Sequence, residues 1–162
     1  MVSESKKVRE ILFRGQTRRY GEKVRMGDGF KLPSRWVYGG VLQGVSDHSI
    51  IYGGENADDP GDGLDKWVVY TDTLGQFTGR IDKNGKKVFE HDILQTFTVW
   101  ADGTKEKAGI GVVQWWENDQ CYVFTTKEGY HIDDFGNLGR PEYYEVIGNI
   151  HDNPELLEGC DG

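Results

Sequence analysis

The stretch GQFTGRIDKNGKKVFEHDIL, residues 75–94, decides the fold. Two runs of strand-forming residues, 75–81 and 86–89, flank Asn84-Gly85. Asn-Gly is the dipeptide best suited to a two-residue turn whose central residues both take positive φ, so the segment predicts a tight β-hairpin. Glu90-His91-Asp92 then leads into a longer strand, 92–100, rich in Thr, Phe and Val.

Outward from this hairpin the same grammar continues. Ala101-Asp102-Gly103 turns the chain, residues 110–116 and 121–126 form another hairpin around 117–120, and 143–150 supply a last strand. Asn153-Pro154-Glu155 reads as a helix start, with Asn153 as cap and Pro154 at the first helical position, and one helical turn fits before Gly159. Upstream, residues 11–15 read as a short strand. Residues 36–42 alternate, with Trp36, Tyr38 and Gly40 on one face and Val37 and Val41 on the other, as a half-buried strand does. Residues 49–52 look like its partner, and 67–70 like a further strand. Residues 16–35, polar and dotted with glycine, carry Arg18, Arg19, Lys23 and Arg25 and read as a loop or irregular ribbon. Residues 53–65 hold five carboxylates, four glycines and a proline with almost nothing apolar, which predicts a mobile acidic loop.

Composition agrees with a mainly β chain of many tight turns. There are 23 glycines and only 4 prolines among 162 residues, and the 5 Trp, 8 Tyr and 7 Phe must carry a core that an apolar share of 36% leaves thin. The formal charge of −8, from 27 acidic and 19 basic residues, disfavours broad contact with nucleic-acid phosphates. The polar residues 1–7 lack the apolar run of a signal peptide, and no stretch approaches the ~18 apolar residues of a membrane span, so a cytoplasmic location is expected. Cys121 and Cys160 match no metal or redox spacing and read as idle thiols.

TLGQFTGRIDKNGKKVFEHDIL at 73–94, ILFRG at 11–15 with WVYGG at 36–40, and YEVIGNIHDNPELL at 144–157 resemble, in this order, the signature, opening and close of the YopX family of bacteriophage and prophage proteins. Against the family pattern most of 16–35 looks inserted. Where the family commonly has Glu-Gly-Asp-Ile, this chain has Glu90-His91-Asp92-Ile93, so His91 must tolerate any positive φ that the glycine adopts. The resemblance implies an SH3-like β-barrel over 71–157, following an irregular β-rich part over 1–70 and followed by a tail, 158–162. It further implies a phage or prophage protein in the bacterial cytoplasm and assembly into an oligomer, with a trimer as the suggested form. It implies no enzymatic activity, no catalytic residue and no cofactor.

Four constellations bear on function. Glu90, His91 and Asp92 could supply acid-base groups, but in a strand the carboxylates point away from the histidine, and Asp92 better suits a turn that it fixes through bonds to nearby backbone. His131, Asp133 and Asp134, with His151 and Asp152, alternate suitably for a metal, yet no two histidines fall at a ligand spacing, and the calcium-like run 58–63 has proline where a ligand is wanted. No metal is therefore expected. Arg80, Lys83, Lys86 and Lys87 beside Phe77 could bind single-stranded nucleic acid by charge and stacking, or simply be a solvated turn. Trp115-Trp116 place adjacent rings on opposite faces, so one ring should lie outside, under the N-terminal segment or another subunit.

These readings favour a non-enzymatic, self-associating module that binds an unidentified phage or host protein. A nucleic-acid-binding module using the basic hairpin is the alternative, and a small-barrel nuclease using Glu90 or His91 is a third.

Overall fold

The computed structural model describes residues 9–17, 24–26, 29–31, 36–42, 47–52, 66–126, 131–132 and 139–158. The expected acidic loop at 53–65 and the final tail lie outside the described residues, as do Asp133 and Asp134.

The strands are β1 (Phe13–Gln16), β2 (Val24–Met26), β3 (Gly29–Lys31), β4 (Trp36–Leu42), β5 (His48–Tyr52), β6 (Lys66–Tyr70), β7 (Gly75–Ile81), β8 (Lys87–Phe89), β9 (Asp92–Val99), β10 (Lys105–Trp116), β11 (Cys121–Thr126), β12 (His131–Ile132) and β13 (Tyr144–Asn149). Among the described residues a single short α-helix, α1 (Glu155–Glu158), follows, beginning where Asn153 and Pro154 predict it: their carbonyls accept the Leu156 and Leu157 amides at 3.1 and 3.0 Å. The ribbon expected over 16–35 contains a paired hairpin, β2 against β3, which its weak periodicity does not reveal.

The strands pair antiparallel in two main sheets. The first runs β6-β5-β4-β1-β7-β8 and the second β12-β11-β10-β9-β13. The first sheet curls on itself, because Thr17, just past β1, bridges back to Val69 of β6. Such an approach needs a missing side chain: a Cβ on Gly15 would lie 3.0 Å from Val69. Val37, Ile51, Trp67 and Val69 fill the curl, with Leu74 packed against them.

In the second sheet the register sets Val113 opposite Phe124 and Leu94 opposite Val146. These residues share one face and bury it together with Val88 and Tyr144. Ile93, Val112 and Val123 are buried on the other face.

A closed barrel is not formed. The second ladder is open, ending at β12 and β13, and the β7–β8 hairpin hydrogen-bonds into the first sheet through β1, with Phe13 opposite Gln76 and Arg14 opposite Gly75. Where a barrel would close, the hairpin tip meets β13 through two bonds. The Lys83 amide donates to the Tyr144 carbonyl at 3.2 Å, and the Val146 amide donates to Asp82 Oδ2 at 2.9 Å. Recruitment of β7 by β1 removes the hairpin from the ladder that it was expected to complete.

The decisive turn also differs from its expected type. Only Gly85 in it has positive φ, 79°, and Asn84 does not. The Asp82 amide donates to the Lys86 carbonyl at 2.8 Å and the Gly85 amide to the Asp82 carbonyl at 3.0 Å, which defines a three-residue loop with a left-handed glycine. The cause is the Asp82 carboxylate, whose Oδ1 accepts the amides of Asn84 and Lys86 at 2.8 and 2.9 Å and so favours this loop over the two-residue turn. The same chemistry closes β9 on β10. There Trp100 and Thr104 pair, Gly103 has φ 86°, and Asp102 Oδ1 accepts the Thr104 amide at 2.9 Å.

Asp82 is 2% exposed and ties the turn to β13. Asp82→Ala is expected to cost about 2–4 kcal/mol, since it strands the buried Val146 amide and two turn amides. Gly85→Ala, at a left-handed position with open space around it, should cost only about 1 kcal/mol. Urea unfolding checks both, and equal losses would contradict the role given to the carboxylate.

Candidate functional site at the seam between the sheets

Arg14 occupies the middle of β1, where its neighbours are Tyr38 and Gly75 on the flanking strands. Although charged, it is 6% exposed. Its Nη2 donates to the Glu90 carbonyl at 3.0 Å and meets Asp92 Oδ1 at 2.7 Å. The guanidinium carbon lies 4.9 Å from the ring centroid of Trp36 and 4.9 Å from that of Phe89. A planar, weakly hydrated cation suits this place because rings contact its faces while oxygens take its edge.

Asp92, 1% exposed, turns its other oxygen to the Phe89 amide at 2.8 Å, the turn-fixing bond expected of it. Burial pushes its carboxyl above the usual range; Arg14 and the Phe89 amide oppose this without cancelling it. Glu90 bonds Gln76 twice: its amide donates to the Gln76 carbonyl at 3.0 Å, and its Oε2 accepts the Gln76 amide at 2.9 Å. Burial raises its carboxyl too, against the opposing backbone bond and Arg14.

His91 has φ 68°, the left-handed conformation that the family glycine suggests. Its amide donates to the Val113 carbonyl at 2.8 Å and its carbonyl accepts the Ile150 amide at 3.0 Å, so the residue holds β10 and the end of β13 at one corner. Its Nδ1 is 3.2 Å from His151 Nε2, with the rings edge-on and 5.2 Å apart. Burial lowers the His91 pKa to about 4, helped by His151 and Arg14 and opposed by Asp72. His151 is lowered as well, by burial and then Arg14, against Asp72 and Asp152.

Asp152 completes the seam. Its Oδ1 accepts Gln16 Nε2 at 3.0 Å, and its Oδ2 accepts Trp36 Nε1 at 2.6 Å and Asn149 Nδ2 at 3.0 Å. Asn149 Oδ1 in turn accepts the amides of His151 and Asp152, both at 3.0 Å, which shapes the loop that presents them. Strands β1 and β4 are thereby fastened to the chain after β13.

The triplet Glu90-His91-Asp92 thus meets His151-Asp152, a pairing that sequence spacing does not show. Arg14, the centre of the cluster, is missed by sequence reasoning; its only signal is a charge between Phe13 and Gly15 in a strand. His131 lies in β12, and among the described residues no three His, Cys, Asp or Glu side chains group as a metal site.

Among the described residues, two of the four basic side chains of the hairpin pair with carboxylates. Lys83 Nζ pairs with Glu145 at 2.6 Å and lies 4.3 Å from the Phe97 centroid, and Lys87 Nζ pairs with Glu10 at 2.6 Å. Arg80 Nη1 donates to the Gly139 carbonyl at 3.0 Å, and Lys86 is exposed. Phe77 is 6% exposed and packs on Phe89 at 5.6 Å, so the expected stacking platform is inside the protein. Trp115 is 45% exposed and edge-on to Tyr122 at 5.0 Å, while Trp116, opposite Cys121, is half-buried.

Arg14→Met leaves Asp92 buried without its partner and should cost about 3–5 kcal/mol, with most of the loss recovered in Arg14→Met/Asp92→Leu; urea unfolding of both variants checks this. The imidazole pair gives a pH dependence. A folded-state pKa near 4 against an ordinary 6.5 means that the unfolded chain binds the proton first, so His91 makes stability fall as pH drops from 6.5 towards 4. The raised carboxyls of Asp92 and Glu90 act in the opposite sense as they protonate. His91→Asn, which tolerates the left-handed backbone, is expected to flatten the decline between pH 7 and pH 5. An unchanged slope would remove His91 as its source.

Among the described residues no helix is long and apolar enough to cross a membrane. No curated protein matches the chain. Among solved structures, the crystal structure of protein EF1440 from Enterococcus faecalis is similar at 22% identity and a TM-score of 0.42, over 91% of this chain and 98% of that one. The family model described as YopX protein matches residues 36–158, which include the hairpin, the His91 corner and the seam loop at 149–152. The chain therefore belongs to the YopX protein family.

Proposed function

We propose that this protein is a phage or prophage accessory protein of the bacterial cytoplasm that catalyses no reaction and works as a self-associating, protein-binding module. The second sheet is the scaffold of that module. One observation carries the reading. Trp115 and Tyr122 continue the face that bears Val113 and Phe124, yet Trp115 is 45% exposed. The buried face of the sheet therefore runs on past its own cover as an aromatic rim, and such rims favour protein contacts.

The seam supports the absence of catalysis. Arg14 and Asp92 direct polar atoms at each other and at the backbone, and Asp152 accepts from the Gln16, Trp36 and Asn149 side chains. Each histidine gives one ring nitrogen to their mutual bond. Those bonds are structural, and breaking them for a substrate would loosen the join between the sheets.

Sedimentation at micromolar concentrations tests the reading. The wild type should associate, and Trp115→Ser should weaken that association by about thirtyfold or more, as expected for a central aromatic anchor, with the fold retained by circular dichroism. A wild-type protein that stays monomeric throughout overturns self-association.

A further inference from the structure

The tip of the β7–β8 hairpin carries the one Asn-Gly linkage in the sequence, Asn84-Gly85. Such a linkage is chemically labile. The Gly85 backbone nitrogen can attack the side-chain carbonyl carbon of Asn84: a bond forms between that nitrogen and Cγ, the Cγ–Nδ2 bond breaks, and Nδ2 leaves as ammonia with the proton given up by the Gly85 amide. The resulting five-membered succinimide takes up one water, which opens either carbonyl and leaves aspartate or isoaspartate. Glycine favours the attack because no Cβ crowds the nitrogen. Both residues are exposed, so water and hydroxide reach them. Asn118, Asn149 and Asn153 precede Asp119, Ile150 and Pro154, which crowd the same nitrogen or, in proline, leave it no proton.

The folded loop engages both reacting groups. The Gly85 amide donates to the Asp82 carbonyl at 3.0 Å, so the proton that the nucleophile must lose is held across the turn. Asp82 Oδ1 accepts the amides of Asn84 and Lys86, on either side of that nitrogen, at 2.8 and 2.9 Å. A buried carboxylate so placed opposes the negative charge that the nitrogen takes on before it attacks. Asn84 Nδ2, the leaving group, donates to Glu145 Oε1 at 3.1 Å, which ties the side-chain amide to β13. Glu145 is itself held by Lys83 Nζ at 2.6 Å. The reaction therefore waits for the tip to come away from β13.

We infer that Asn84 is a deamidation site that the native loop keeps closed, and that reaction there unties the hairpin tip from β13. The product loses a donor and gains a charge. A carboxylate at position 84 replaces Nδ2 opposite Glu145, where like charges repel, and stands on the same loop as Asp82. Isoaspartate also adds a methylene to the main chain, so the three-residue loop no longer closes the pair Ile81 and Lys87 without distortion. What loosens is the join of the tip to the second sheet, the Lys83 amide on the Tyr144 carbonyl and the Val146 amide on Asp82. The change is one-way, since refolding does not restore the amide, and the join weakens as the chain ages.

The wild-type chain, held in mildly alkaline buffer with and without denaturing urea, tests this. A protease that cuts before aspartate releases residues 82–91. A new cut before position 84 reports aspartate, and a gain in mass of the uncut peptide reports isoaspartate. Reaction at position 84 should be about tenfold or more slower in the folded chain than in urea, because only the opened fraction reacts. Chain deamidated in urea, refolded and separated by its extra negative charge should exchange the Lys83 and Val146 amide hydrogens about tenfold or more faster than the unmodified chain. If it does not regain the wild-type circular dichroism spectrum, Asn84→Asp supplies the same charge for that measurement. An Asn84 that stays intact in urea overturns the site, equal rates in both states overturn its closure by the loop, and unchanged exchange overturns the untying.

Discussion

The Arg14–Asp92 ion pair is the interaction on which the rest of the structure depends. It spans the two sheets, at 2.7 Å, with both side chains almost wholly buried. A buried pair of this kind stabilises only if its remaining hydrogen-bonding groups are satisfied, because the desolvation of two ions is otherwise larger than their attraction. Here the Glu90 carbonyl, the Phe89 amide and two aromatic faces complete the shell. The pair therefore acts less as a source of stability than as a specification: β1 can lie beside β7 in one register only, since a slip of one residue would turn Arg14 to the opposite face.

From that join the other features follow. Because β1 recruits β7, the hairpin leaves the second ladder, and Asp82 and Lys83 secure its tip to β13 by single bonds. Because the chain must reverse between β8 and β9 within reach of Arg14, position 91 takes a left-handed conformation, and its imidazole is delivered to His151. The Trp36, Gln16 and Asn149 bonds to Asp152 fasten the opposite end of the same seam. The titratable groups gathered in this way join strands of the two sheets.

The apolar surface shows the converse. The thin core leaves no aromatic residue to spare, yet Trp100 and Trp115 lie at the two ends of the longest hairpin with about half of their surface in water. Neither ring could be drawn inward without breaking the register that buries Val113 against Phe124. A net charge of −8 opposes indiscriminate association of such a surface.

Local information was enough for much of this. Period-two alternation placed β4, strand-forming composition placed β9, the turn at 117–120 placed β11 and Asn153-Pro154 placed the helical turn, because each depends on residues near one another in sequence; the glycine of the family pattern pointed to positive φ at His91. Local rules misjudged the Asn84-Gly85 loop, where a carboxylate two residues earlier changes which amides need positive φ. The tertiary structure alone decided the seam: Arg14 meets Glu90 across 76 positions, His91 meets His151 across 60, and Trp36 meets Asp152 across 116. No periodicity carries such pairings, since they arise only when curled sheets bring distant strands into contact and every buried charge must find a partner there.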